Sequence, residues 1–105
     1  MDFIYILKLT DYYNDAGNWD DDAAKVMDLH WAYLLDLHSR AVTHLVGRTS
    51  YTPGHADLFG ITVFSAADMA AAEQIMDADP AVVNGIMTAT VHPFNLSLLS
   101  GREVA

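Results

Sequence analysis

Apolar side chains recur along the chain with two periodicities, one of two residues and one that matches the turn of an α-helix. Alternation predicts β-strands, because successive side chains of a strand point to opposite faces. In the first such stretch Tyr5 and Leu7 share one face, yet the other face carries Ile4 and Ile6. The predicted strands are residues 3–9, 42–50, 58–64 and 86–94.

The helical period predicts two helices. The longer one covers residues 20–40, where three consecutive aspartates from Asp20 suit the positive N-terminal end of a helix. His30 falls inside the apolar arc of this helix. The second is predicted over residues 65–76, with Ser65 as its N-cap and Asp68 as the acidic return partner.

Two further segments carry turn chemistry. Pro53 and Gly54 suit the central positions of a type II turn, so strands two and three are expected to form a hairpin. Asp79 and Pro80 suit the N-cap and first position of one short helical turn, which Gly85 ends.

The resulting order is β-α-β-β-α-β, which predicts an α+β ferredoxin-like fold with two helices on one face of a four-stranded antiparallel sheet. A single domain is expected over residues 1–94, followed by a tail at 95–105. Because the first strand is apolar on both faces, we expect a homodimer in which a partner covers the open sheet face.

Composition narrows the classes of partner. Fourteen acidic and five basic residues give a net charge of −9, which disfavours nucleic acid and anionic membrane surfaces. The chain has no cysteine, so disulfides and thiolate sites are excluded. No signal peptide or membrane span is recognisable, and we expect a cytoplasmic protein.

Three segments resemble the YciI-like (YCII-related) family, and together they extend over most of residues 3–94. They are His30 in the first helix, Gly47 near the end of strand two, and Asp79-Pro80 through Gly85 to His92-Pro93-Phe94. The resemblance implies a dimeric α+β barrel assembly of ferredoxin-like subunits, with a histidine-aspartate pair at His30 and Asp79.

The sequence departs from the family pattern at three positions that bear on the site. Trp31 stands where the family has leucine after the histidine, Ala41 where a glycine usually ends the first helix, and Arg48 where proline is common. The shape of the pocket and the substrate can therefore differ from those of relatives.

His30 and Asp79 are the candidate catalytic residues. A carboxylate bonded to one ring nitrogen fixes the histidine tautomer and leaves a usable general acid or base. The topology brings Asp79 to the edge where the first helix begins, although His30 lies about 15 Å along a helix that starts at Asp20. The candidate substrate-binding residues are Arg48, Tyr12, Tyr13, His55, Pro80 and Gly85.

Structural roles compete with these assignments. A lone histidine on an apolar helical face is more often structural, and an aspartate before proline is sufficiently explained as an N-cap. The remaining histidines show no metal-binding spacing, and no nucleophile elbow, phosphate loop or dinucleotide motif is present. Neither a metal nor a cofactor is therefore expected.

Two functions remain open from the sequence. The first is a small cofactor-independent enzyme, lyase-like or dehydrochlorinase-like, that uses the His-Asp pair on a small metabolite, as a dehydrochlorinase member of the family implies. The alternative is a non-catalytic dimeric domain that binds a small molecule or acts as an accessory subunit, with His30 buried for structural reasons.

Overall fold

The computed structural model describes residues 1–101 of the protein. Its elements follow the predicted order, with one 3-10 turn at Ala16–Asn18 before the first helix. They are β1 Asp2–Leu9, α1 Asp21–Ser39, β2 Thr43–Arg48, β3 Gly60–Ser65, α2 Met69–Asp77, α3 Pro80–Val83 and β4 Met87–Pro93.

The four strands form one antiparallel sheet in the order β2-β3-β1-β4. On one face Phe3, Tyr5 and Leu7 of β1 form a buried core cluster with Leu34 of α1 and Ala72 of α2. The helices therefore cover this face, as the alternation in β1 requires. The predicted ferredoxin-like α+β fold is confirmed.

Capping side chains set the starts of the helices. Asp20 accepts from the backbone N–H of Ala23 and begins α1, one residue from the predicted start. The predicted N-cap of α2 is wrong: the cap is Asp68, which accepts from the N–H of Ala71. Ser65 cannot serve, because it is still paired with Asp2 across the sheet in extended conformation.

Two helices end in the same backbone motif with different residues. After α3, Gly85 adopts φ 71°, and its N–H donates to the carbonyl of Val82. After α1, Ala41 adopts φ 57° and donates to His38 in the same way. The left-handed conformation favours glycine, so the alanine at position 41 is strained.

The predicted hairpin of strands two and three is present, but its connection, residues 49–59, is longer than the predicted 51–57, because β2 ends earlier and β3 begins later than predicted. Its turn is as expected: the N–H of His55 donates to Thr52 at 3.2 Å, and Gly54 has φ 108°. The Asn14 side chain reaches across from the loop after β1, accepting from Gly54 at 2.8 Å and donating to the carbonyl of His55 at 3.3 Å. The two loops are thereby fastened together.

Beyond β4 the chain continues along the domain, and Leu96 is buried. Part of the predicted tail, residues 102–105, lies outside the described residues. Within residues 1–101, none of the helices combines the length and the apolar character needed to cross a membrane.

Candidate functional site

The position of the Asp79 side chain is set by its role as a helix cap, independently of its contact with His30. It caps α3, where its Oδ1 accepts from the N–H of Ala81 at 3.0 Å and Pro80 occupies the first helical position. The side chain is completely buried. The sequence prediction of an N-cap is confirmed, and the capping geometry also sets the direction of the carboxylate.

His30 lies against this carboxylate. Its Nδ1 is 2.6 Å from Oδ1 of Asp79, and the ring is nearly buried, with 8% of the residue exposed. A carboxylate only accepts, so the neutral ring carries its proton on Nδ1. Nε2 is then the ring nitrogen left for a ligand.

The lengths of the two helices explain why the pair meets. α2 has 9 residues and α1 has 19, so α2 is about 14 Å long and reaches back along only half of α1. Asp79 is therefore level with the middle of α1 rather than with Asp20. The Tyr33 hydroxyl confirms this level, because it donates to the carbonyl of Ile75 at 2.7 Å.

A third residue, Tyr5, completes the buried polar group. From the centre of β1 its hydroxyl donates to Oδ2 of Asp79 at 3.0 Å. Burial, followed by the charge of the Asp79 carboxylate, raises the pKa of Tyr5, so it stays protonated and donates. Three donors thus converge on one carboxylate, and no acceptor oxygen is left without a partner.

A cavity of about 430 Å³ opens beside His30, between α1 and the sheet. Its polar lining includes His30, Thr62 of β3 and Arg48, whose exposed side chain lies at the mouth. Most of the remaining lining is apolar, which suits a small, largely apolar ligand held by few polar groups. The larger apolar side chains include Trp19, Met27, Trp31, Leu34, Leu58 and Phe59.

The predicted substrate-binding residues divide into two groups. Arg48 lines the cavity and has no ion pair with any residue in the range 1–101. The other five are absent from its lining and lie around it or behind it. They are Tyr12, Tyr13, His55, Pro80 and Gly85.

Tyr13, Pro80 and Gly85 shape the site indirectly, whereas Tyr12 is exposed and packs edge-on against Tyr13. The Tyr13 ring packs edge-on against Trp19, and the Tyr13 backbone carbonyl accepts from the Trp19 indole N–H at 2.7 Å, which fixes one wall of the cavity. His55 stacks on Tyr51 at 3.7 Å at the surface of the β2-β3 loop. Pro80 and Gly85 bound the turn that aims Asp79.

Sequence reasoning missed Tyr5 and Thr62. Both lie on the helix-facing side of the sheet and are paired directly across β1 and β3. The available signal was a hydroxyl at a position where the alternation otherwise calls for an apolar core residue. Trp31, noted only as a departure from the family pattern, also lines the cavity.

The described residues contain no group of three or more His, Asp or Glu side chains arranged to hold a metal ion. The histidines other than His30 have partners of their own. His38 contacts the Thr43 hydroxyl at 2.9 Å, and His44 lies 2.9 Å from Asp2.

Comparisons with known proteins agree with this architecture. The family profile described as the YCII-related domain matches residues 5–95. Among solved structures, the chain is similar to 5-chloro-2-hydroxyhydroquinone dehydrochlorinase from Burkholderia phenoliruptrix AC1100, in complex with 2,5-dihydroxybenzoquinone. The match has a TM-score of 0.66 and 18% identity, covering 90% of this chain and 94% of the other. Comparison with curated proteins gives no significant match.

Proposed function

This chain belongs to the YCII-related domain family, and from that premise we propose that it is a small cofactor-independent enzyme using His30 and Asp79 for general acid-base chemistry. The observation that carries the proposal is the 2.6 Å contact between His30 Nδ1 and a fully buried carboxylate at the wall of a cavity. A histidine held in one tautomer by a carboxylate is a frequent design for proton transfer near neutral pH.

Each residue has a distinct part in the proposed chemistry. Asp79 holds the His30 ring and stabilises the imidazolium that forms when Nε2 takes a proton. Tyr5 supports Asp79 from the opposite oxygen. Arg48 at the cavity mouth offers a permanently charged, forked donor to an oxyanion that develops on the substrate.

We propose hydroxylated, chlorinated aromatic rings as the first substrate class to test, by extension from the dehydrochlorinase that shares this fold. In a chlorinated trihydroxybenzene, loss of HCl is redox-neutral overall. One hydroxyl proton passes to the carbon that bears chlorine, a second hydroxyl proton leaves, and chloride departs as two oxygens become carbonyls. A single base can serve both steps, because it can pass the first hydroxyl proton to the carbon and then accept the second hydroxyl proton.

The test is chloride release from 5-chloro-2-hydroxyhydroquinone by the wild type and by His30→Gln. We expect the substitution to lower kcat by about 10² to 10⁴-fold, the usual contribution of a positioned acid or base. The matched control is His38→Gln, because His38 is exposed near the end of α1, is absent from the cavity lining, and has its hydrogen bond within residues 1–101 to the Thr43 hydroxyl.

The outcomes separate the two functions left open by the sequence. Equal rates for the wild type and His30→Gln would reject the acid-base assignment. A wild type that binds the ring but releases no chloride favours the binding or accessory domain for this substrate class.

We also propose that the enzyme is a homodimer formed through the open face of the sheet. The helices cover the other face, while Ile4, Ile6 and Ile61 remain only partly buried and Leu45 is exposed. A second copy would bury these side chains. Sedimentation equilibrium should give twice the chain mass of 11.5 kDa, and Ile6→Lys should shift the mass to that of one chain.

A further inference from the structure

The charged residues of the chain are distributed unevenly around the cavity. Fourteen of the 105 residues are acidic, yet none of the lining residues within the described range 1–101 is Asp or Glu. The Asp79 carboxylate stays behind the wall, because its oxygens are occupied by buried donors, among them His30 and Tyr5. Arg48 is the one lining residue in that range with a permanent charge. It gives the lining a positive charge in a protein whose net charge is −9.

The Arg48 guanidinium is not neutralised by the protein itself. No ion pair joins it to a carboxylate within residues 1–101, whereas Arg40, just after α1, pairs with Asp36 at 2.9 Å. Arg48 is the last residue of β2, and its partner across the sheet is Gly60 of β3, which also lines the cavity. Because glycine has no side chain, the floor of the cavity beside Arg48 is left unfilled. A ligand that enters there meets an unpaired cation.

The rest of the lining indicates what kind of molecule carries the matching anionic group. Trp19, Trp31 and Phe59 give the cavity aromatic walls, and aromatic faces favour offset or edge contacts with another ring. An apolar cavity of about 150 Å³ already accepts benzene, and this one is about 430 Å³. A single ring with substituents therefore fits.

We propose that the cavity selects aromatic rings that carry an anionic oxygen group, a carboxylate or a phenolate, and that Arg48 is the residue that binds this group. The guanidinium is always charged and offers a fork of donors that matches such oxygens. The inference rests on the proposed function for its site and names the substrate class more narrowly. It concerns binding of a stable anion, so it requires no proton transfer by His30.

Matched probes separate the charge of the ligand from its shape. Benzoate and benzamide have nearly the same size, and only benzoate is charged. For the phenolate the probe is 4-nitrophenol, because its absorbance shows directly whether the bound form is ionised. Dissociation constants are measured by NMR titration of the wild type, Arg48→Gln, Arg48→Lys and Lys25→Gln. The last is the control, because Lys25 is exposed on α1, is absent from the cavity lining and carries the same charge.

We expect Arg48→Gln to weaken benzoate binding by roughly tenfold, because about one charge-assisted hydrogen bond is lost. Benzamide binding should not change. Arg48→Lys keeps the charge without the fork, so its loss should be intermediate, and Lys25→Gln should bind both probes as the wild type does. Bound 4-nitrophenol should be more ionised than free 4-nitrophenol in the wild type and not in Arg48→Gln.

An Arg48-dependent effect on benzoate alone assigns the carboxylate, and one on 4-nitrophenol alone assigns the phenolate. Because Arg48 is exposed, its variants should keep the circular dichroism spectrum and unfolding midpoint of the wild type. Three results would overturn the proposal: no binding of either anion to the wild type, equal loss of benzoate and benzamide in Arg48→Gln, or the same loss of benzoate in Lys25→Gln. The last would show that net charge, and not Arg48, governs binding.

Failure of the proposed function is distinguishable from failure of this inference. A wild type that releases no chloride can still prefer benzoate to benzamide through Arg48. Conversely, chloride release that depends on His30, without any preference for an anion, would reject the role of Arg48 in ligand selection and leave the acid-base chemistry standing.

Discussion

Substitution of Asp79 tests whether the buried carboxylate holds the site together through its acceptors. In Asp79→Ala the His30 ring, the Tyr5 hydroxyl and the Ala81 N–H all lose their partner. A buried donor without an acceptor costs about 1–3 kcal/mol, and removing one member of a buried pair typically costs about 3–5 kcal/mol in all. We expect Asp79→Ala to lower the free energy of unfolding by about 3–5 kcal/mol.

Asp79→Asn should be milder. Asparagine is an equally good N-cap, and its amide oxygen can still accept from Ala81 and His30. Its NH₂ group then faces the Tyr5 hydroxyl, which can rotate and accept instead of donating. Loss of the charge-assisted part of these bonds leaves an expected cost of about 1–2 kcal/mol.

Urea unfolding followed by circular dichroism measures both variants, with the slope m required to match that of the wild type. Asp28→Asn is the control, because Asp28 is exposed on α1 and the same unit of charge is removed; it should stay within about 0.5 kcal/mol of wild type. Costs for Asp79→Ala and Asp79→Asn that agree within error would refute the reasoning, because hydrogen-bond geometry would then be irrelevant. So would a cost below about 1 kcal/mol for alanine.

Two other predictions follow from the backbone and from Tyr5. Ala41→Gly should stabilise the protein by about 0.5–1 kcal/mol in urea unfolding, because φ 57° strains alanine. Gly85→Ala, at φ 71° with open space around it, should instead destabilise the protein by about 1 kcal/mol. Changes of the same sign in both variants would contradict the explanation by backbone strain. Burial and the Asp79 carboxylate raise the pKa of Tyr5 above its ordinary 10.0, so its contribution to stability is complete below pH 10 and is lost as the pH rises further. Tyr5→Phe should therefore be less stable at pH 7, by about 1–2 kcal/mol, yet its unfolding midpoint should fall less steeply than that of the wild type above pH 10.

Interactions between near neighbours in the chain made much of the fold predictable from the sequence. The alternation in β1, the aspartates at the start of α1 and the Asp79-Pro80 pair each act over a few residues, so the sequence alone identified the strands, the helices and the N-cap of α3. The start of α2 was misplaced because Ser65 and Asp68 are both good caps. Only the pairing of Ser65 with Asp2 in the sheet decided between them.

Only part of the candidate site could be predicted from the sequence. The sequence, together with its family resemblance, identified His30 and Asp79 but left a gap of about 15 Å between Asp20 and the histidine. The relative lengths of α1 and α2 explain why the pair still meets, because they place Asp79 beside the middle of α1, where His30 lies, and not beside Asp20.

Tyr5 and Thr62 each place a hydroxyl at a core position of a strand, but the local sequence does not show which group that hydroxyl meets. The sheet register places them side by side, and the packing of α1 over that face makes Tyr5 a support for Asp79 and places Thr62 among the residues that line the cavity. The sequence by itself determined the elements, the start of α1 and the N-cap of α3, because those depend on interactions between near neighbours in the chain, and the family resemblance added the pairing of His30 with Asp79. The tertiary structure decided which polar groups satisfy one another and which remain for a ligand, because those pairings join residues far apart in the chain.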